Sequence, residues 1–287
     1  MSEEKHESIE SVERVLDSIQ KLPSMPSVVM EILDSFSNEN LNINTLATKV
    51  SSDLVIAARV LRVANSSFFG LSHQIGSISE AISILGFNNL RGIVTAASVI
   101  NVFSSTENSL DMQAFWRHSI ATAVYAKVLA KQIGLNSETA FTAGLLHDIG
   151  KLVMSVYFPM TFARVNISEI RSTSDSLQAE KTAFGLDHAE IGGEVAKRWN
   201  FPVEIRDAIS LHHTENNADE ENVLVHVIYV ANLFANALQN GGIRDEYADA
   251  LLAAVNVRLK INRDQLEALA KEAQQLYDGA VMLIAPN

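Results

Sequence analysis

The chain has 287 residues, enough for one large domain or two modest ones with a substantial core. Hydrophobic residues make up 47% and charged residues 20%, a globular composition that excludes a natively disordered chain. Cysteine is absent, which excludes disulfides and thiolate metal sites, and a formal net charge of -12 excludes attraction to nucleic acid or anionic membrane by the overall field.

The start, Met1-Ser2-Glu3-Glu4-Lys5, lacks the basic and apolar segments of a signal peptide. Apolar residues then recur at helical spacing almost throughout. Ile9, Val12, Val15, Leu16 and Ile19 predict a first helix, broken at Leu22-Pro23 and again at Pro26. Val28, Val29, Ile32, Leu33 and Phe36 predict a second. Asn44 is placed to cap a third, and Asp53 a fourth whose apolar face is Leu54, Ala57, Ala58, Leu61 and Ala64. Ser77 and Glu80 have capping-box spacing ahead of Ile82 and Leu85. Gly86 closes that helix, and another is expected from about Asn88 to Phe103. The apolar run from Ile93 to Phe103 is too short to span a bilayer and is interrupted by Thr, Ser and Asn. The chain therefore reads as cytoplasmic.

The polar, aperiodic stretch from Ser104 to Leu110 is the candidate boundary. It divides an N-terminal helical subdomain, 1–108, from a second, 109–287, that ends in a helical extension. Beyond it, helices are expected near 111–132, 137–147, 150–157, 160–171, 176–184, 188–199, 202–213, 222–239, 246–258 and 263–283. Pro202 suits the first turn of its helix. Nothing reads as an alternating strand, so the fold class is all-α.

Of the eight histidines, His118, His147, His188, His212 and His213 fall in a pattern after the boundary. His147 and Asp148 follow the apolar Ala143-Gly144-Leu145-Leu146, so a buried segment delivers an imidazole and a carboxylate side by side. Each needs a partner when buried, and a divalent cation satisfies both. Nitrogen and oxygen ligands suit Fe, Mn, Zn, Co or Ni. Asp148 has two oxygens and can bridge two ions, which at a separation of roughly 3.5–4 Å activate water for in-line attack at phosphorus. Lys151, one helical step on, is placed to meet a phosphate oxygen or, more blandly, to face solvent. The bland alternative for His188 is an exposed first-turn residue, because Asp187 and Glu190 have capping-box spacing. His226 reads as structural, His73 as a loop residue and His6 as part of a polar tail.

These residues resemble the HD superfamily of metal-dependent phosphohydrolases and, more closely, its HDOD branch, the HD-related output domain of bacterial signalling proteins. The resemblance covers about residues 20 to 215. It rests on Leu22-Pro23-Ser24-Met25-Pro26, the run from Ala58 to Ser66, the stretch Asn65-Ser66-Ser67-Phe68-Phe69-Gly70, the segment from Ala81 to Gly86, and the run from Ala143 to Lys151. It implies an N-terminal helical bundle packed on a C-terminal HD-like helical bundle. It implies also that His118, His147 and Asp148 hold one ion, and Asp148, His188, His212 and His213 a second, with Asp148 bridging. Many HDOD proteins have lost part of this set, and the family is regarded as regulatory. This sequence keeps most of it and so partly resembles the HD-GYP enzymes that hydrolyse cyclic dinucleotides.

Two departures stand out. Where HD enzymes place a late Asp ligand, this chain has Asn232, a weaker neutral donor. After His212-His213 comes Thr214-Glu215-Asn216-Asn217, with no Gly-Tyr-Pro motif. A mononuclear site and an altered two-ion site both remain chemically reasonable.

Two functions follow. The first is a bacterial signal-transduction module that binds a signalling protein or a small phosphorylated ligand, with one or two divalent ions in a structural or sensory role. The second is a metal-dependent phosphohydrolase acting on a nucleotide or cyclic nucleotide, with Asp148 and Lys151 at the reacting group. Leu46 to Val50, the turn at Ser51-Ser52-Asp53 and the run from Ala57 to Asn65 with Arg59 and Arg62 have helix-turn-helix spacing. Simple helix packing explains them better in so acidic a chain, so nucleic acid is not the expected partner.

Overall fold

A computed structural model of the chain describes residues 12–34, 43–65, 74–103, 109–167, 173–214, 222–239, 251–255 and 259–284, and the elements among them are all helical. In chain order they are α1 (12–20), α2 (Ser27–Asp34), α3 (Ile43–Ser52), α4 (Leu54–Ala64), α5 (Ile78–Val102), α6 (Met112–Gln132), α7 (Ser137–Leu146), α8 (Ile149–Tyr157), α9 (Pro159–Ile167), α10 (Thr173–Phe184), α11 (His188–Arg198), α12 (Val203–Ser210), α13 (Val223–Gln239), α14 (251–255) and α15 (Arg263–Ile284). The centre of the proposed boundary, the ends of the 246–258 helix, the Ser66–Gly70 stretch, His6, His73 and Glu215–Asn217 lie outside the described residues.

Local chemistry sets most of the ends. Gly86 splits α5 with φ 76° and ψ 158°, a backbone region open to glycine. Ser77 Oγ accepts from Glu80 N (3.2 Å), while the Glu80 carboxylate reaches Gly76 N (3.4 Å) rather than Ser77 N. Asp111 caps α6 and Asn136 caps α7, each accepting two backbone N–H bonds at 3.0 Å. Asn44 is no cap: α3 is already helical at Ile43, and the Asn44 carbonyl accepts from Thr48 Oγ1 (2.9 Å).

In the first half, α2, α3 and α4 pack against α5 and bury Val28, Val29, Val50, Ile56, Val60 and Ala64. The helix-turn-helix spacing resolves here into core packing. Asp53 alone joins α3 to α4, its Oδ1 accepting from Val55 N (3.0 Å) and Ile56 N (3.1 Å). Lys49 is paired with Glu31, and Arg59 is partly buried on α4.

The second half is organised on α6. Its residues from Phe115 to Ala130 are nearly all buried, which marks a central helix with partners on several faces. Helices α7, α13 and α15 pack on it, α11 lies between α8 and α12, and α12 also touches α7 and α13. One hydrophobic core runs from Val15 to Ala273 and joins the two halves. Trp199, after α11, meets Phe103 edge-on at 6.1 Å and donates its Nε1–H to the Pro23 carbonyl (3.0 Å). No helix among the described residues is long and apolar enough to cross a membrane.

Candidate metal centre

The expected site residues come together where α6, the α7–α8 turn, the start of α11 and the turn after α12 converge. His118 lies on α6, and His147 and Asp148 form the turn between α7 and α8. Asp148 has φ -97° and ψ 12°, the bridge region favoured by many active-site residues. Two glycines allow the approach. A Cβ on Gly144 would lie 2.8 Å from the Ala123 Cα, so α7 can press onto α6 only with glycine there. A Cβ on Gly150 would lie 2.0 Å from the His188 carbonyl oxygen, so α8 and α11 meet backbone to backbone.

The Asp148 carboxylate sits between two groups of imidazoles. Its Oδ2 is 3.4 Å from His147 Nε2 and 3.7 Å from His118 Nε2. Its Oδ1 is 3.1 Å from His188 Nε2 and 3.7 Å from His212 Nε2. Lys151 Nζ donates to Oδ2 at 2.7 Å. His213 Nε2 is 2.9 Å from His188 Nε2. His147, Asp148, His188 and His212 are each at most 2% exposed, while Lys151 and His213 are half-buried at the edge.

The far side of three of the rings is fixed. His147 Nδ1 bonds the Gly144 carbonyl (2.8 Å) and His212 Nδ1 the Ile209 carbonyl (2.7 Å). Because a carbonyl only accepts, each Nδ1 carries the proton and each Nε2 presents its lone pair inward. His188 Nδ1 meets Glu180 Oε2 (2.7 Å), and the same oxygen accepts from His188 N (2.8 Å). Carboxylate behind imidazole is the usual support for a metal-binding histidine.

Charge follows from these contacts. Burial alone would raise the Asp148 pKa, but His147, Lys151 and the close approach of the His188 and His212 imidazoles hold it well below the usual carboxylate range. Burial lowers His147 far below its ordinary value and His118 to about 4, and the nearby Asp148 only partly offsets it. Burial lowers His212 and His213 as well. His188 is the exception, because Glu180 and Asp148 outweigh burial and Lys151 and raise it. An ionised carboxylate among mostly neutral imidazoles is the protonation state that cation binding requires.

The residues fit a metal. His147 Nε2, His212 Nε2 and Asp148 Oδ1 are buried without a hydrogen-bond partner, a costly arrangement that a cation relieves. His118, His147 and Asp148 form one group able to hold an ion, and His188, His212 and His213 a second, with the donor atoms of each group within 4.8 Å of one another. Nitrogen and oxygen donors suit the borderline transition metals.

His188 is correctly placed behind the Asp187–Glu190 capping box (2.9 Å in both directions), but its side chain is buried and faces Asp148 rather than solvent. Asn232, buried on α13, lies close enough to His118 to favour its protonated form, and its Oδ1 accepts from Asn236 Nδ2 (3.3 Å). His226 bonds the Ala254 carbonyl (2.9 Å), the structural role expected of it. Sequence reasoning missed Glu180. Its signal was a carboxylate between Leu177 and Phe184, three residues before and four after, on the apolar stripe of α10.

The family model of the HDOD domain matches residues 22–215. The chain belongs to the HDOD domain family. Among other proteins, this HDOD chain is 24% identical over 267 residues to an uncharacterized protein of Treponema pallidum, covering 92% of this chain and 51% of that one. It is 32% identical over 146 residues to ribonuclease Y of Thermus thermophilus, covering 50% of this chain and 20% of the enzyme. It thus spans about half the length of the first relative and about a fifth of the second. The crystal structure of a Shewanella amazonensis SB2B protein, provisionally named a phosphohydrolase, matches with a TM-score of 0.76 at 29% identity, covering 95% of this chain and 97% of that one.

Proposed function

We propose that this chain is a bacterial, cytoplasmic HDOD signal-transduction module that carries a divalent metal in its His/Asp centre and acts by binding a small phosphorylated ligand or a signalling partner. The observation that carries the reading is the Asp148 carboxylate set between two imidazole groups, with Asp148 Oδ1, His147 Nε2 and His212 Nε2 buried without a hydrogen-bond partner. In this reading His118, His147, Asp148, His188, His212 and His213 are the ligand set, with Asn232 at its margin. The lone pairs are aimed by Gly144, Ile209 and Glu180, so the site is preorganised. A bound divalent ion would supply a Lewis acid for a phosphoryl oxygen. Lys151, half-buried at the edge, would offer its ammonium to the same anion while still paired to Asp148. The neutral Asn232 favours binding over turnover, since the charge that would complete the first group is missing.

The second reading is a metal-dependent phosphohydrolase acting on a nucleotide or cyclic nucleotide, with Asp148 and Lys151 at the reacting phosphoryl group. The likeness to the Shewanella protein and to ribonuclease Y favours it, and adds RNA to the substrates worth testing. One experiment separates the readings. The purified chain, loaded with Mn2+ or Fe2+, is assayed on bis(p-nitrophenyl) phosphate, cyclic dinucleotides and an RNA oligonucleotide beside Asp148→Asn. The module reading expects bound metal and no turnover above that of the variant. Turnover that Asp148→Asn abolishes would establish the hydrolase instead.

A further inference from the structure

We propose that the centre is built for one cation, held by Asp148 Oδ1 and the His188, His212 and His213 imidazoles, and that the Lys151 ammonium replaces a second cation at Asp148 Oδ2. This rests on the metal reading above and concerns how the two halves of that site differ.

The two carboxylate oxygens have different partners. Oδ2 is already engaged, with Lys151 Nζ donating to it at 2.7 Å. A cation on that oxygen would have to displace the ammonium or share the oxygen with it, one charge against another. Oδ1 has no hydrogen bond of acceptable geometry, although it is buried and close to His188 Nε2 and His212 Nε2.

The imidazoles divide the same way. On the Oδ1 side, His188 and His213 bring their Nε2 atoms to 2.9 Å. His188 Nδ1 is held by Glu180, a carboxylate only 3% exposed, which fixes the ring and adds negative charge behind it. On the Oδ2 side, among the described residues, the His118 Nδ1 has no hydrogen-bond partner and the His147 Nδ1 is held by a backbone carbonyl rather than a carboxylate. Asn232 contributes only a neutral amide there, and its oxygen already accepts from Asn236.

Charge balance points to the same answer. Among the described residues, the charged groups around the imidazoles are Asp148, Glu180 and Lys151. One divalent ion leaves this pocket a single unit positive. A second would leave it three units positive in a region nearly closed to water, where like charges repel most strongly. Removing the ammonium lowers that barrier and frees Oδ2 together.

The test is equilibrium dialysis of the 287-residue chain, stripped with chelator, against Mn2+, with the bound ion counted by elemental analysis. The wild type is expected to bind one ion per chain. Lys151→Met is expected to bind two. Glu180→Gln keeps the shape of the side chain and is expected to bind one ion with affinity lower by about 10–100-fold. Two ions in the wild type, or only one in Lys151→Met, overturns the proposal. Unchanged affinity in Glu180→Gln overturns the assignment of the ion to the Oδ1 half. The wild-type count needs no variant to fold. No bound ion in any sample would overturn the metal reading itself, an outcome distinct from a count of two.

Discussion

Asp148 is 2% exposed and lies within 3.7 Å of four imidazole nitrogens and one ammonium. Its charge, rather than its shape, links the two halves of the cluster. Asp148→Asn keeps the shape and removes the charge, leaving Lys151 without its counterion and the inward nitrogens without an anionic neighbour. Metal affinity is expected to fall by more than the roughly 10–100-fold typical of a lost supporting contact. Titration calorimetry checks this, and near-native affinity would mean that the imidazoles bind alone. The same residue shows why much of the site could be read in advance. A His-Asp pair delivered by Ala143-Gly144-Leu145-Leu146 is chemically anomalous unless partnered, and His118, His188, His212 and His213 fit one ligand pattern with it. Glu180 escaped because its helix is mostly polar, so one carboxylate on the apolar stripe looked like its exposed neighbours. The capping box at His188 was legible, but a cap fixes where a helix starts and says nothing about which side chains its first turn buries.

Helices were legible for a related reason, since apolar spacing and caps act within a few residues. The Gly86 break, the Asp53 cap and the separation of α7 from α8 near Asp148 follow from such local rules. What brings α8 against α11 is not local. Gly150 reads in the sequence as a helix-start residue, yet its missing side chain sets the spacing of two backbones. Gly150→Ala is expected to cost about 3 kcal/mol, at the upper end for forced overpacking, because the obstacle is a carbonyl oxygen that cannot rotate away. The shift should also move His188 and weaken metal binding. Gly76→Ala is the control: nothing lies within 4 Å of its added Cβ, so it should change stability by no more than about 0.5 kcal/mol. Chemical denaturation of both variants measures the difference. Equal stability would mean that α8 and α11 can separate at little cost.

At the scale of the molecule, the cluster joins segments spread from His118 to His213, and all of them border one continuous core. An ion that binds the folded chain and not the unfolded one stabilises the whole fold through mass action. At a free concentration 100-fold above Kd the gain is about 2.7 kcal/mol. For a protein of this size each kcal/mol raises Tm by roughly 2–4 °C, so saturating Mn2+ should raise Tm by about 5–10 °C over the chelated protein. The shift should be a single cooperative transition followed by circular dichroism at 222 nm, because the halves share a core and the Trp199–Pro23 bond. Asp148→Asn should show almost none of it. An equal rise in that variant would place the bound metal elsewhere on a chain of net charge -12, and no rise in either would remove the His/Asp cluster as a metal centre.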